Sequence, residues 1–295
     1  MNETLSVWVA GARPRTLPAA VAPILAGSAS AAALGRYDWL AAALCLVVAL
    51  ALQVGVNYAN DYSDGVRGTD DDRVGPTRLV ASGLAPARAV KAAAFGAFAF
   101  AGVVGLVVVA LSGQWWLIGV GALSILAAWY YTGGAKPYGY LGLGEVMVFV
   151  FFGLVATVGT CYVIAGAAPP HAWLAATAVG SLASAILVAN NLRDRAGDAT
   201  SGKRTLAVRL GDRGTRLFYL ALVVLAALAV VALAAATTWW ALLGLLGFAA
   251  LVGPVGRVLG GAAGPALIGV LKLTGIAEVL VALGVLAGVV VGALT

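Results

Sequence analysis

Charged residues are scarce in this chain of 295 residues: they make up 10%, against 62% hydrophobic residues and a mean hydropathy of +1.00. Soluble domains carry about 25% charged residues, so the composition excludes a soluble globular domain and a disordered chain. Cysteine and histidine are scarcer still, with two cysteines inside apolar runs and a single histidine, His171. A disulfide framework and a histidine-based metal cluster are therefore excluded. The composition is typical of an integral membrane protein.

Long apolar runs are what the chain does have, and nine of them reach about 20 residues, enough to cross a hydrocarbon core of roughly 30 Å. In lipid the backbone must satisfy its own hydrogen bonds, which predicts helices. We therefore predict an all-α, polytopic membrane bundle that forms one domain over residues 1–295, capped by cytoplasmic loops. The predicted spans are 16–34, 39–60, 89–111, 115–131, 144–165, 173–192, 217–236, 239–258 and 267–294.

The 18 lysine and arginine residues are distributed unevenly between the two ends of these spans. All but Arg36 fall in loops and helix ends on one side. Short cytoplasmic loops are enriched in lysine and arginine, so this side and the N-terminus are predicted to be cytoplasmic. Nine spans then place the C-terminus outside, in a multi-pass plasma-membrane protein. Basic residues spread over loops in this way do not indicate nucleic-acid binding.

Two cytoplasmic segments, 57–91 and 193–216, hold ten charged residues each. Around the start of each segment, an amide side chain precedes carboxylates spaced by about one helical turn, so these groups share a helix face. Each pattern lies at the cytoplasmic end of an apolar span, the second and the sixth. The residues are Asn57, Asp61 and Asp64, with Asn60 one turn from Asp64, and then Asn190, Asp194 and Asp198.

These carboxylates indicate a site for divalent cations and phosphate. Like charges one turn apart repel, and Mg²⁺, usually held by one or two carboxylates together with substrate phosphates, removes that cost. Two such faces predict two Mg²⁺ ions with a diphosphate between them and a lipid tail in the bundle. The predicted chemistry is departure of diphosphate from an allylic carbon and capture of the allylic group by an electron-rich acceptor. The cations expected to neutralise the phosphates are Arg67, Arg73, Arg78, Lys203 and Arg204.

Simpler interpretations exist for these features. One acidic segment alone is commonly solvated loop charge with helix caps, but two matched segments argue against that. A transporter places ionisable groups near the midplane, whereas these acids gather at one face. Arg15 is either a charge anchor or a contact of the substrate carboxylate. Lys136, Tyr138 and Tyr140 either cover the acceptor or form an interfacial loop, and Glu145 is either functional or stabilised by a helix N-terminus.

Several motifs, in a fixed order along nearly the whole chain, resemble those of the UbiA superfamily of intramembrane aromatic prenyltransferases. The resemblance is strongest to the branch that prenylates 1,4-dihydroxy-2-naphthoate in menaquinone biosynthesis. The motifs are GARPRTLP at 11–18, NYANDYSD at 57–64, RVGPTR at 73–78, YTGGAKPYGY at 131–140, GLGE at 142–145, NNLRD at 190–194 and GKRTLAVRLG at 202–211.

The resemblance implies that a polyprenyl diphosphate alkylates the naphthoate ring, with release of CO₂ and diphosphate and formation of demethylmenaquinone. It also implies that Asp61 and Asp64 form the first Mg²⁺–diphosphate motif and that Asp194 and Asp198 form the second. Lys203, one of the cations expected to neutralise the phosphates, is predicted to take part in catalysis with them. The residues expected to support metal or phosphate are Asn57, Asn60, Asn190 and Asn191.

Two points stay open from the sequence. The first motif of the superfamily often has a third aspartate, where this chain has Gly68, and the nearest acid, Asp70, is an uncertain ligand. Another acceptor of the same superfamily, such as 4-hydroxybenzoate, homogentisate or a chlorin, is the alternative substrate.

Overall fold

The computed structural model describes residues 3–68 and 78–295, and within them the chain is helical with no β-strand. The helices are numbered α1 to α10 along the chain. Their bounds are Glu3–Ala12, Pro18–Ala32, Trp39–Arg67, Ala87–Ser112, Leu117–Tyr130, Gly144–Ala165, Pro170–Thr200, Leu206–Ala236, Trp239–Leu259 and Gly264–Leu294.

Each of the nine predicted spans corresponds to one helix of the described chain, from α2 to α10, and the short α1 precedes them. Seven of these helices are long and apolar enough to cross a membrane. The other two, α2 and α5, have 15 and 14 residues, or about 22 Å at 1.5 Å per residue. Proline and glycine limit them, because Pro18 opens α2 and Gly133 and Gly134 follow α5. The predicted fold class, a multi-pass helical membrane bundle, is confirmed.

The sequence also predicts that the segments 65–88 and 195–215 form short helices that cap the cavity of the bundle, and residues 69–77 of the first segment lie outside the described residues. Helix α3 continues to Arg67 and ends at Gly68, whose φ of 69° suits glycine. Residues 78–86 form turns without a helix. The acidic side chains of α3 are therefore carried on a rigid helix end.

The segment 195–215 is helical over most of its length. Helix α7 continues to Thr200 and α8 begins at Leu206, and a kink at Gly211 (φ 68°, ψ −176°) separates a short helical segment, residues 206–210, from the rest of α8. Continuation of the helices satisfies the backbone hydrogen bonds of this polar stretch internally. The second set of aspartates thus also lies on a helix end.

Helix α7 lies at the centre of the bundle and packs against α2, α6, α8 and α10. Its most apolar stretch is 72% buried, against 11% for that of α3. The contact with α6 is close, since a Cβ on Gly153 would lie 2.7 Å from the Cα of Gly180. Large apolar side chains on outer helices, such as Trp39 and Leu246, are exposed, as lipid-facing residues are.

Helices α9 and α10 pack with their backbones in contact. A Cβ on Gly288 would lie 2.1 Å from the carbonyl oxygen of Trp240 and 2.7 Å from the Cα of Ala241. Small residues permit such close approach of membrane helices. The replacement Gly288→Ala is expected to force the helices apart and lower stability by about 1–3 kcal/mol.

The measurement is the unfolding temperature in detergent. The matched control is Gly256→Ala, also in this helix pair, where an added Cβ meets no atom within 4 Å. Equal unfolding temperatures for the two variants would contradict this view of the α9–α10 contact.

Candidate functional site

A cavity of about 870 Å³ lies among helices α2 to α7 and α10. Along α3 it extends from Asp64 to Cys45, which are 19 residues apart in the sequence and therefore about 28 Å apart along the helix axis. Polar and charged side chains gather at the Asp64 end, called the polar end below, and apolar residues line most of the remainder. This shape suits a long apolar molecule with a charged head.

The two acidic segments predicted from the sequence meet at this polar end. Asp64 of α3 and Asp194 and Asp198 of α7 line the same cavity. Three of the four predicted aspartates are thus brought together, in space that α3 and α7 share. The predicted residues that line the cavity are Arg15, Asn57, Asn60, Asp64, Arg78, Tyr138, Tyr140, Asn190, Asn191, Asp194, Asp198 and Lys203.

Asp64 is buried, and polar side chains from three other parts of the chain contact its carboxylate. The hydroxyl of Tyr140 donates to its Oδ1, and the Nζ of Lys203 lies 3.3 Å from the same oxygen. A guanidinium nitrogen of Arg78 lies 3.6 Å from Oδ2. A buried carboxylate needs such partners, because an uncompensated buried charge is strongly destabilising. Asp64 therefore joins α3 to the segments that close the polar end.

Lys203 is positioned by the short linker between α7 and α8. Gly202 has a φ of 78°, which glycine adopts without steric cost, and the N–H of Lys203 donates to the carbonyl of Asp198 at 2.9 Å. The N–H of Arg204 donates to the carbonyl of Tyr140 at 3.0 Å, and Lys203 Nζ lies 4.7 Å from the centre of the Tyr140 ring. The linker thereby holds a buried ammonium group at the polar end.

Asp194 forms an ion pair with its neighbour Arg193. The Nε and Nη2 atoms of Arg193 donate to the two carboxylate oxygens at 2.6 and 2.7 Å, a bidentate geometry. Nη2 also donates to the Oδ1 of Asn190 at 2.9 Å. Arg193 itself lines the cavity. Arg193 was not among the predicted site residues, although its position beside the motif aspartate was a usable signal.

Asp61 differs from the other predicted aspartates because it does not line the cavity. It is fully buried, and its two oxygens accept hydrogen bonds from the N–H groups of Leu79 at 2.8 Å and Val80 at 3.0 Å. Asp61 and Asp64 are three residues apart and so point about 60° apart around the helix. That difference directs Asp64 to the cavity and Asp61 to the turn that carries Arg78.

Other predicted residues lie away from the cavity or outside the described chain. Arg67 is exposed and donates to two carbonyls of the α5–α6 loop. Lys136 and Arg204 are exposed as well and do not line the cavity, in keeping with the preference of long cationic side chains for water. Arg73, predicted to bind phosphate, and Asp70 lie outside the described residues.

Glu145 is buried near the start of α6 and does not line the cavity. Its Oε1 accepts a hydrogen bond from the Nδ2 of Asn191 at 2.8 Å, and its backbone carbonyl accepts one from Ser184 at 3.2 Å. Asn191 does line the cavity. Glu145 therefore orients a cavity residue rather than reaching the cavity itself.

The aromatic wall of the polar end is held rigidly. The hydroxyl of Tyr138 donates to the carbonyl of Ala127 at 2.7 Å, and its ring packs edge-on against Tyr131 with 5.6 Å between centres. A tyrosine is neutral at physiological pH, and burial raises the pKa of Tyr138 further. Tyr138 is therefore a fixed part of the wall and not a source of negative charge.

Asn57 fastens α3 to the turn between α1 and α2. Its Nδ2 donates to the carbonyl of Ala12 at 2.8 Å and to the Oγ1 of Thr16 at 2.9 Å. Gln53, one turn away, donates to the same Thr16 oxygen at 3.0 Å. Gln53 and Thr16 line the cavity but are uncharged, so the sequence gave no reason to single them out.

The replacement Asn57→Ala is expected to lower stability by about 1–3 kcal/mol, because the partly buried Ala12 carbonyl loses its donor. The measurement is the unfolding temperature in detergent. Thr177→Ala is the control, since that hydroxyl donates to the carbonyl of Trp173 within its own helix at 2.8 Å. An unfolding temperature of Asn57→Ala that matches the wild type would contradict the role given to Asn57.

The donor set at the polar end is suited to a hard divalent cation. Asp64, Asp194 and Asp198 offer carboxylate oxygens, the ligands that Mg²⁺ prefers. In the described part of the chain, no three acidic, histidine or cysteine side chains lie close enough together to hold a metal alone. A bound cation would therefore share its ligands with water and a substrate phosphate, which is the usual arrangement for Mg²⁺.

A helical membrane bundle around a long apolar cavity, with acids and cations at one end, defines a class of integral-membrane enzyme that acts on lipids with an anionic head. Comparison of the sequence with known families identifies the class more narrowly. The chain belongs to the UbiA prenyltransferase family, whose sequence profile matches residues 20–260.

Similar proteins agree with this membership. The chain is 51% identical to a protein of Mycobacterium tuberculosis named 1,4-dihydroxy-2-naphthoate octaprenyltransferase, over 98% of each chain. It is 42% identical to a protein of Escherichia coli with the same name, over 74% of this chain and 72% of the relative.

Solved structures of UbiA homologues share the fold. The apo structure from Aeropyrum pernix has a TM-score of 0.69 at 16% identity and covers 93% of this chain and 98% of that one. The structure from Archaeoglobus fulgidus bound to DMAPP and Mg²⁺ has a TM-score of 0.59 at 16% identity, over 96% and 99% of the chains.

Proposed function

We propose that this protein transfers a polyprenyl group from a polyprenyl diphosphate to 1,4-dihydroxy-2-naphthoate, with loss of CO₂ and diphosphate, to form demethylmenaquinol, the reduced form of demethylmenaquinone. The observation that carries the proposal is 51% identity over 98% of both chains to a relative named for octaprenyl transfer to this acceptor. Relatives from Mycobacterium leprae and Haemophilus influenzae carry the same name at 52% and 42% identity.

The shape of the cavity supports this donor. The diphosphate would lie at the polar end, where Lys203, Arg78 and Arg193 supply positive charge. The prenyl tail would follow the apolar part of the cavity, about 28 Å along α3. A tail of several isoprene units has the length and the polarity that this space requires.

We further propose that Asp64, Asp194 and Asp198 hold Mg²⁺, with two ions when the diphosphate is bound. Support comes from the oxygen ligands of the site and from the Archaeoglobus fulgidus homologue solved with Mg²⁺. When bound, Mg²⁺ stabilises the charge that develops on a departing diphosphate.

The residues of the chain contribute position, charge and exclusion of water. Lys203 and Arg78 already lie beside Asp64, so they can neutralise the leaving diphosphate without rearranging, which is the source of electrostatic catalysis. The apolar wall keeps water from the allylic carbon, so that the aromatic ring captures it. The electron pair of the C–O bond leaves with the diphosphate, and the ring loses CO₂ to recover its aromatic form.

We infer a single domain over residues 1–295, with the polar end at the cytoplasmic face of the cell membrane. The support is the collection of nearly all lysine and arginine residues on that side of the spans. The N-terminus would then be cytoplasmic and the C-terminus external.

The test uses the purified protein in nanodiscs with octaprenyl diphosphate and Mg²⁺. We expect demethylmenaquinol, detected by mass spectrometry as demethylmenaquinone after oxidation in air, with 1,4-dihydroxy-2-naphthoate and no prenylated product with 4-hydroxybenzoate or homogentisate. The Asp194→Asn variant is the inactive control. Product with another acceptor and none with 1,4-dihydroxy-2-naphthoate would overturn the assigned acceptor.

A further inference from the structure

Arg13 has a backbone conformation that an arginine rarely adopts. Its φ of 52° and ψ of 69° make it the one non-glycine residue with positive φ among those the structure describes. The conformation is disfavoured twice, since positive φ is strained for a residue with a Cβ and a following proline, here Pro14, favours extended backbone. Strain of this kind persists where the surroundings enforce it, and it concentrates at functional sites.

The surroundings of Arg13 do enforce this conformation. The carbonyl of the preceding Ala12 accepts a hydrogen bond from Asn57 at 2.8 Å. The carbonyl of Arg13 itself accepts one from Thr16 at 3.0 Å, and Thr16 is held in turn by Asn57 and Gln53. The polar side chains of α3 therefore fix the backbone from which the Arg13 side chain extends.

Among the described residues, one edge of the Arg13 guanidinium has no hydrogen-bond partner. Its Nε and Nη2 are buried and find no hydrogen-bond partner in the described part of the chain. Two other arginines of this chain bind a carboxylate through the same Nε–Nη2 edge. Arg193 binds Asp194 in this way, and Arg216 binds Asp212 with distances of 2.6 and 2.9 Å. A buried donor pair without an acceptor is costly, so this edge is suited to an exogenous carboxylate.

The position of Arg13 separates it from the residues proposed to hold diphosphate. Arg13 lines the cavity near Asn57, which precedes Asp64 by seven residues and lies about 10 Å from it along α3. The tail of a donor whose diphosphate lies at Asp64 would extend to this side. An acceptor that attacks the allylic carbon must also approach from the side opposite the diphosphate.

We propose that Arg13 is a specificity residue that binds the carboxylate of the aromatic acceptor through its Nε–Nη2 edge. This inference rests on the proposed function, because only an acceptor with a carboxylate needs it. The edge is covered in the structure, so the side chain rotates toward the cavity it lines when the acceptor binds. The strained backbone is retained because it holds the base of this side chain beside the cavity.

The first test measures steady-state kinetics of Arg13→Gln with each substrate varied in turn. We expect the KM for 1,4-dihydroxy-2-naphthoate to rise about 10- to 100-fold, the effect of losing a hydrogen bond to a charged group, while the KM for the prenyl diphosphate stays within about twofold. The control is Arg36→Gln, an exposed arginine on the opposite side of the spans, which should leave both values unchanged. An unchanged acceptor KM, or an equal or larger rise in the donor KM, would overturn the proposal.

The second test removes the carboxylate instead of the arginine. In the wild type, 1-hydroxy-2-naphthoate should inhibit at least about tenfold more tightly than 1-naphthol, and Arg13→Gln should abolish that difference, as expected for two groups that interact directly. A carboxylate preference that survives in the variant would show that another residue binds this group.

The third variant, Arg13→Gly, covers the case in which Arg13→Gln fails to fold. Glycine accepts positive φ without strain, so this variant should unfold at or above the wild-type temperature and still lose the carboxylate preference. An intact preference in this stable variant would overturn the proposal. Wild-type protein that does not prenylate 1,4-dihydroxy-2-naphthoate at all would instead overturn the proposed function on which the inference rests.

Discussion

Replacement of Asp64 by asparagine is expected to lower kcat/KM for prenyl transfer about 10²- to 10³-fold. Asparagine keeps the shape of the side chain but removes the charge that faces Lys203 and Arg78 and that the proposed Mg²⁺ requires. The measurement is the rate at saturating Mg²⁺, together with the unfolding temperature of the variant. A variant that folds and turns over at the wild-type rate would contradict the proposed metal site.

The matched control is Asp61→Asn, on the same helix one turn away. Asp61 accepts hydrogen bonds from two backbone N–H groups, and an asparagine would present an NH₂ group to one of them. We therefore expect a lower unfolding temperature and a moderate loss of rate through the displaced Arg78 turn, with no change in the Mg²⁺ dependence. Loss of Mg²⁺-dependent turnover at an unchanged unfolding temperature would instead support Asp61 as a metal ligand, as the motif implies.

Removal of divalent cations with EDTA is expected to reduce prenyl transfer by about 10²- to 10³-fold or more, and added Mg²⁺ should restore it. The fold should survive, because no three metal-ligating side chains cluster in the described residues to form a structural metal site. The measurements are the rate and the unfolding temperature with and without EDTA. Full activity in EDTA would exclude a metal-assisted reaction.

The ligands can be tested in the same assay. Asp198→Asn should raise the Mg²⁺ concentration for half-maximal rate about tenfold, which corresponds to about 1.4 kcal/mol. Asp212→Asn is the control, since Asp212 pairs with Arg216 on α8 and does not line the cavity. Equal Mg²⁺ requirements in the two variants would argue against Asp198 as a ligand.

The fold was predictable because each span is a long apolar run, and such runs permit little besides a helix in lipid. The helix ends were less predictable. The polar ends of α3 and α7 contain aspartate and glycine, which sequence rules associate with turns, yet the helices continue to Arg67 and Thr200. Helical hydrogen bonding along the continuous backbone outweighs the local preferences of these residues.

The site was predictable as far as charge and spacing define it. The meeting of Asp64 with Asp194 and Asp198 followed from two matched segments at the same end of the bundle. The different directions of Asp61 and Asp64 were not predictable from the sequence. Only the packed turn at residues 78–80 shows that Asp61 is the one that accepts hydrogen bonds from backbone N–H groups. The role of Arg13 was unpredictable for a similar reason, because neither composition nor periodicity indicates a positive φ at an arginine.

The concentration of cations at one end of a mostly apolar cavity has a consequence for turnover. The substrates carry two anionic groups, the diphosphate and the ring carboxylate. In the proposed reaction both are absent from the prenylated quinol product. The product would then offer no anionic group to the cationic side chains of Lys203, Arg78 and Arg13. It would therefore diffuse laterally into the surrounding lipid. Product release would thus be coupled to the chemistry itself, so we expect weak inhibition by demethylmenaquinone and stronger inhibition by free diphosphate.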